Sequence, residues 1–297
     1  MRKAAPILFA VLLSVSLSQA QPPPPVAATT QAPTALVADP CPPALPASQP
    51  PAGASDRLLV PGKFDATLFA QATNRPDLEA FRKAQEERAR TDWPNLCRYR
   101  SANAALKHSP KVVLMGDSIT ELWERGDPSV FSDQVIGRGI SGQTTPQMLL
   151  RFFQDVIALG PQVVHIMAGT NDIAGNTGPT TEQDVKNNII AMVELARAHH
   201  IRVVLASILP TSAFPWNPSL RPASTIVEMN HWLHSYALES GSQYVDYYPV
   251  LADSKGGFRA ELSNDGVHPN RDGYAAMRPL LLSAIGNKDN GHPDIRP

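Results

Sequence analysis

Attack on an acyl carbonyl needs a hydroxyl or thiol, a base to take its proton, and a group that orients the base. The sequence offers such a set as Ser118, in Gly116-Asp117-Ser118, and as Asp265 and His268, in Asn264-Asp265-Gly266-Val267-His268-Pro269-Asn270. At that spacing Asp265 can hold the imidazole from within one turn. The negative charge that builds on the carbonyl oxygen calls for N–H donors. Gly142, in Gly137-Arg138-Gly139-Ile140-Ser141-Gly142-Gln143-Thr144, can present a backbone N–H with no side chain in the way. Asn171, in Ala168-Gly169-Thr170-Asn171-Asp172, can offer its side-chain amide, and Ser118 its own N–H.

Taken singly, each piece has a plainer explanation. Ser118 could only start a helix, Asp265-Gly266 is a common turn, and Asn171-Asp172 could cap a loop. The glycines at 137, 139 and 142 could serve a tight turn alone, and their G-x-G-x-x-G spacing is by itself a weak match to a phosphate-binding loop. What favours chemistry is their order and place. Among the eight histidines only His268 sits beside an aspartate in such a turn. His165 falls inside an apolar run and reads as a satisfied core residue. His199 and His200 fall at a helix end, and His231 and His234 on the solvated face of a helix.

The elements around these residues explain how they could meet. Residues 112–115, 134–136, 163–167, 203–207 and 244–246 are short apolar runs of strand length, and helical stretches 145–159, 181–199, 223–240 and 271–285 lie between or after them. Strands alternating with helices form a parallel sheet covered on both faces. In such a sheet ligands bind outside the carboxyl ends of the strands, so all four loops gather at one edge. Helix N-termini there favour negative charge. Before this region, residues 78–92 read as a surface helix with Leu78, Phe81, Ala84 and Ala89 on one face, preceded by Asn74 as a cap and ended by Trp93-Pro94. A second short helix is expected within 95–107.

A chain of 297 residues, 43% hydrophobic and 18% charged, can bury a large core. Its formal net charge of -1 gives no basic surface for nucleic acid. The histidines and two cysteines form no metal-ligand pattern, so no metal site is expected. Residues 1–20 have the order of a secretory signal: Arg2 and Lys3, an apolar stretch too short to span a bilayer, then Ser18-Gln19-Ala20. The residue directly after that point is Gln21, not a cysteine that could carry a lipid. Export would place Cys41 and Cys97 in an oxidising compartment, where they could pair. Residues 21–55 are rich in Pro, Ala, Ser and Thr and read as an extended linker. The chain thus divides into a signal (1–20), a linker (21–55), a helical extension packed on the core (56–110), an α/β domain (111–286) and a polar tail (287–297).

The four blocks together resemble the SGNH, or GDSL-type, hydrolase family over about residues 111–285. Gly116-Asp117-Ser118-Ile119 is similar to its first block, with Ile119 where the family usually has Leu. Residues 138–145 resemble the second, with Gly142 at the oxyanion glycine and Gly137 where similar proteins often carry Asn. Gly169-Thr170-Asn171-Asp172 resembles the third, with Asn171 at the oxyanion amide, and residues 265–270 resemble the last. The detail is most similar to the branch of platelet-activating-factor acetylhydrolase subunits and bacterial acetylesterases. The resemblance implies a flavodoxin-like three-layer α/β/α sandwich with a five-stranded parallel sheet, and no cofactor.

The expected reaction is hydrolysis of a short-chain, acetyl-type ester on a small molecule or carbohydrate through an acyl-serine. A lysophospholipase or thioesterase acting on longer chains is the alternative, and a binding protein on a dead scaffold is a third that the intact residue set argues against. Asp117 beside the serine and Trp216 in the long loop 210–222 are the candidate substrate contacts. Trp216 could equally plug that loop onto the core.

Overall fold

The computed structural model describes residues 37, 39–41, 56–62, 64, 65, 67 and 76–286. The expected signal at 1–20, the tail at 287–297, Asn74 and most of the linker lie outside the described residues. The chain divides into two units. Of the first, Met1–Pro40, only residues 37, 39 and 40 are described, all exposed and without regular structure. Every element below belongs to the second, Cys41–Pro297.

Five strands, β1 (Val112–Gly116), β2 (Val135–Gly139), β3 (Val163–Met167), β4 (Arg202–Ala206) and β5 (Gln243–Val245), form one sheet in the order β2-β1-β3-β4-β5, every neighbour parallel. This order reverses direction between β1 and β3, which opens a crevice at their carboxyl ends. Side chains alternate across the pleat. Val113 and Met115 of β1 point into one core with Val164, Ile166, Val203 and Leu205. Val112 and Leu114 point into the other with Met167, Val204 and Val245.

The helices in chain order are α1 (Asp56–Leu59), α2 (Pro76–Thr91), α3 (Arg100–Ala104), α4 (Ser118–Gly126), α5 (Thr145–Asp155), α6 (Thr170–Ile173), α7 (Glu182–Ala198), α8 (Ala223–Ser240), α9 (Tyr248–Leu251) and α10 (Arg271–Gly286). The first core is closed by Met148 and Phe152 of α5, Ile189, Met192 and Val193 of α7, and Met229 and Leu233 of α8. The second is closed by Leu122 and Trp123 of α4 and by Tyr274, Met277 and Leu281 of α10. The result is the α/β/α sandwich expected from the sequence. Deleting one such ring, as in Phe152→Ala, removes about 3–5 kcal/mol. Among the described residues no helix is long and apolar enough to cross a membrane.

Three local expectations change. β2 starts at Val135 and runs through Gly139, so Gly137, Arg138 and Gly139 are strand residues facing Leu114, Met115 and Gly116, not loop. The glycine serves close approach there: a Cβ on Gly139 would stand 2.2 Å from the Glu121 main-chain nitrogen, so only glycine lets β2 pass under α4. The helix over 145–159 stops at Asp155, and a separate 3-10 turn, Ile157–Leu159, follows. On α2 the half-buried face is Leu78, Phe81, Ala84, Gln85 and Arg88, while Ala89 is exposed. Arg88 earns its place by polar bonding, donating to Gln85 Oε1 at 2.9 Å and to the Asp92 carbonyl at 3.1 Å.

The segment after α2 is tied down by its own carboxylate. Asp92 accepts from Leu96 N–H at 2.7 Å and Cys97 N–H at 3.0 Å. Cys97 is joined to Cys41 by a disulfide with a Cα–Cα separation of 5.5 Å.

Candidate active site

β1 delivers Ser118 to the crevice. Asp117 is the N-cap of α4, its Oδ1 accepting from Ile119 N–H at 2.9 Å, which makes Ser118 the first helical residue. Its hydroxyl is therefore held at the carboxyl end of β1 and at the positive end of α4. His268 comes from the other end of the chain, in the loop that leads into α10. That loop is shaped by Asp265, whose Oδ1 accepts from Val267 N–H at 3.0 Å and His268 N–H at 2.8 Å. Its Oδ2 lies 2.7 Å from His268 Nδ1. His268 Nε2 lies 2.9 Å from Ser118 Oγ. The three side chains form a continuous relay across 150 residues of sequence.

Burial opposes charge throughout this relay. For Asp265 the burial penalty is the largest influence, but the His268 ring and the hydrogen bonds it accepts outweigh it and hold the carboxyl below its ordinary value. For His268, burial likewise pulls the imidazole down, while the Asp265 charge, their hydrogen bond and the Asp117 charge raise it above its ordinary value. Asp117, 1% exposed, is pushed up to about 6 by its burial.

The segments that follow β2 and β3 supply Gly142 and Asn171. Gly142 has φ +78, the left-handed region, and nothing lies within 4 Å of where its Cβ would be, so its backbone borders open space. Its neighbours are fixed: Ser141 donates through N–H (2.8 Å) and Oγ (2.5 Å) to Glu121 Oε2, while Glu121 Oε1 accepts from Arg98 at 3.0 Å. Asn171, 3% exposed on α6, points its amide nitrogen at Asp117 Oδ2 (3.1 Å) and at the Gln143 carbonyl (3.0 Å). Ser118, Gly142 and Asn171 thus surround one crevice, and at rest both amide hydrogens of Asn171 are engaged.

The structure does not give Asp117 to a substrate. One oxygen caps α4 and the other holds Asn171, and the side chain is buried. Trp216 does reach the site: its ring centroid lies 6.5 Å from that of His268. It also packs 5.3 Å from the fully buried Phe214, so it anchors its loop as well as facing the crevice. His165 is buried as expected but only half satisfied: Nε2 bonds the Tyr247 hydroxyl at 3.0 Å, Nδ1 meets no partner, and burial pushes the ring down to about 3. It is a neutral core residue beneath Trp123, whose ring centroid is 6.3 Å away.

Several supporting residues carried no signal in the sequence. Asn176 accepts from Trp216 Nε1 at 2.9 Å and donates to Asn171 Oδ1 at 2.6 Å. Arg151, fully buried, donates to the carbonyls of Gly116 (2.9 Å) and Arg138 (2.8 Å), to Gln143 Oε1 (2.5 Å) and to Asp155 (3.1 Å). It ties the end of β1 to β2 and to the Gly142 loop. Asn264 donates to the carbonyls of Arg57 and Val60, both at 2.7 Å, clamping the α1 segment onto the Asp265 loop. Among the described residues no group of three or more His, Cys, Asp or Glu side chains is placed to hold a metal ion.

A nucleophile–base–carboxylate relay beside a ring of N–H donors is equipment for acyl transfer. Comparison with known proteins agrees. The chain is 46% identical, with a TM-score of 0.63, to a Bacteroides fragilis protein described as an acylhydrolase, over 66% of this chain and 97% of that one. It is 42% identical, again with a TM-score of 0.63, to a GDSL-like lipase of Bacteroides thetaiotaomicron, over 66% of this chain and 98% of that one. It is 35% identical to the uncharacterized lipoprotein YqeF of Bacillus subtilis over 79 residues, 26% of this chain and only 32% of the lipoprotein. Residues 114–276, more than half of the chain, match the GDSL-like lipase/acylhydrolase family. With its fold, its crevice and that match, the chain belongs to the GDSL-like lipase/acylhydrolase family and is a serine ester hydrolase.

Proposed function

We propose that the protein is an exported esterase that removes short acyl groups, acetyl foremost, from small-molecule or carbohydrate esters. The observation that carries the chemistry is the relay of 2.9 Å and 2.7 Å from Ser118 through His268 to Asp265. Ser118 Oγ bonds to the ester carbonyl carbon while its proton passes to His268 Nε2. The carbonyl oxygen becomes an anion facing the N–H groups of Ser118, Gly142 and Asn171. As the carbonyl re-forms, the alcohol leaves with the proton from His268. Water then attacks the acyl-serine and gives a proton to His268, which passes it to Ser118 Oγ as the Oγ–acyl bond breaks and the carboxylic acid leaves. Asp265 keeps the imidazole in the tautomer that can accept at Nε2.

The short-acyl reading is supported by the wall on the Trp216 side. Phe214 is buried, Trp216 bonds Asn176, and Asn217 donates to the Ala174 carbonyl at 3.3 Å, so this loop is pinned rather than free to enclose a long chain. Export is supported by the signal-like residues 1–20 and by the Cys41–Cys97 disulfide, since such bonds persist in oxidising compartments. Hydrolysis of a p-nitrophenyl ester series from acetate to palmitate tests the reading. Rates that fall steeply beyond butyrate are expected. A maximum at long chains would replace it with the lysophospholipase or thioesterase reading.

A further inference from the structure

The Asn171 amide works only one way round. Its nitrogen must face the crevice and its oxygen must face away, and an Asn side chain can swap the two by a rotation that barely changes its shape. Asn171 is 3% exposed, so water does little to set that choice. The polarity is set by neighbours. On one side stand the Asp117 carboxylate and the Gln143 carbonyl, which only accept. On the other stands Asn176, whose own amide could present either pole. Trp216 settles that second choice: an indole N–H only donates, so the Asn176 atom 2.9 Å away is the oxygen. The Asn176 nitrogen then has to donate, and it does so to Asn171 Oδ1 at 2.6 Å, with the Gly142 carbonyl 3.5 Å away.

We propose that Asn176 is a positioning residue for ester hydrolysis, which transmits the one-way polarity of the Trp216 indole to the oxyanion amide of Asn171. The proposal rests on the reading of Asn171 as an oxyanion donor. As the anion forms, one Asn171 N–H turns from a neutral carbonyl to it, and the bond from Asn176 on Oδ1 keeps the nitrogen end in place during that exchange. Loss of the bond lets the amide populate the flipped state, in which an oxygen meets the developing oxyanion. Such an effect lowers kcat and leaves ground-state binding alone.

The test compares Asn171→Ala, Asn176→Ala, Asn176→Asp, Trp216→Phe and the Asn176→Ala/Trp216→Phe double variant on p-nitrophenyl acetate, with thermal melts to show that each is folded. Asn176→Ala is expected to lower kcat about tenfold to a hundredfold, less than the roughly hundred- to thousandfold of a lost oxyanion donor, with KM within about twofold. Asn176→Asp keeps the shape but cannot donate, and is expected to be at least as impaired. Trp216→Phe keeps a ring beside His268 and is expected to lose less than Asn176→Ala, and the double variant to be no worse than Asn176→Ala, because both act along one chain. Wild-type kcat in Asn171→Ala would remove the oxyanion reading itself. An impaired Asn171→Ala beside Asn176→Ala and Asn176→Asp enzymes of wild-type kcat would overturn the positioning role alone. So would an Asn176→Asp enzyme restored to wild-type kcat, or losses that multiply in the double variant.

Discussion

Gln143 donates a 2.8 Å hydrogen bond to the main-chain carbonyl of Pro94, which lies before the segment that matches the hydrolase family. The contact joins the Gly142 loop to the N-terminal extension. Gln147 repeats it on the Trp93 carbonyl at 2.9 Å and Gln154 on the Leu96 carbonyl at 2.5 Å. Three glutamines of one helical region thus read three carbonyls of a strap that the disulfide closes at Cys97. The extension is part of the support of the crevice. Gln143→Ala would break the strap contact and leave Arg151 Nε, which it satisfies at 2.5 Å, buried without a partner. We expect a loss of about 1–3 kcal/mol in urea unfolding and a kcat reduced more than KM is raised. An unchanged midpoint and unchanged kcat would separate the strap from the site.

Ser118→Ala should remove the nucleophile without disturbing the fold, because Asp117 still caps α4. Turnover of p-nitrophenyl acetate should fall by at least about ten-thousandfold, since knocking out a nucleophile leaves only donors and binding. A fluorophosphonate probe should label the parent enzyme and not the variant. Labelling that survives would place the nucleophile elsewhere.

Where the sequence revealed the fold and where it did not follows from the kind of signal each residue carries. The apolar runs at 112–115 and 163–167 announce strands because burial on both faces leaves almost no polar position, His165 being the one exception. Asp265 and His268 were visible because their relation is local, three residues in one turn. Gly137 to Gly139 misled: glycine-rich residues before a helix read as loop, and only the pairing with β1 shows that they continue the ladder. Asp117 misled in the other direction, since a carboxylate beside a serine looks available, and its two buried partners appear only in three dimensions. The strap could not be read at all. What Gln143, Gln147 and Gln154 recognise is backbone, and a carbonyl leaves no trace in residue identity.

Arg151 and Asp155 are both fully buried, one helical turn apart on α5, 3.1 Å between charged atoms. Such a pair contributes little beyond an apolar replacement of the same size, yet breaking it strands a charge. Arg151→Met should therefore cost about 3–5 kcal/mol, whereas Arg151→Met with Asp155→Leu should recover part of that loss. The recovery should not extend to activity, because the Gly116 carbonyl and Gln143 lose their anchor in both variants. Denaturant midpoints and kcat measured on the same samples check this. Full recovery of kcat in the double variant would reduce Arg151 to a core residue.

The pH dependence should follow from His268, which must be neutral to take the Ser118 proton. Its folded value is raised, with Asp265 the largest raising influence against the burial that lowers it. The acid limb of kcat/KM, which reports the free enzyme, should therefore fall above the ordinary histidine value of about 6.5. Asp265→Asn removes the anion and leaves the burial. Its imidazole should then titrate lower, so the residual activity keeps its acid limb at a lower pH than the parent while kcat falls by about ten-thousandfold. Asp117→Asn removes a smaller raising influence and should move the limb in the same direction by less. The limb reads the charge and kcat the geometry: Asp117→Asn also replaces an acceptor of the Asn171 amide, so its rate should fall along with the shift, whereas the larger loss in Asp265→Asn marks the residue that holds the tautomer. A parent limb below about 6.5 would mean that burial, not Asp265, governs His268.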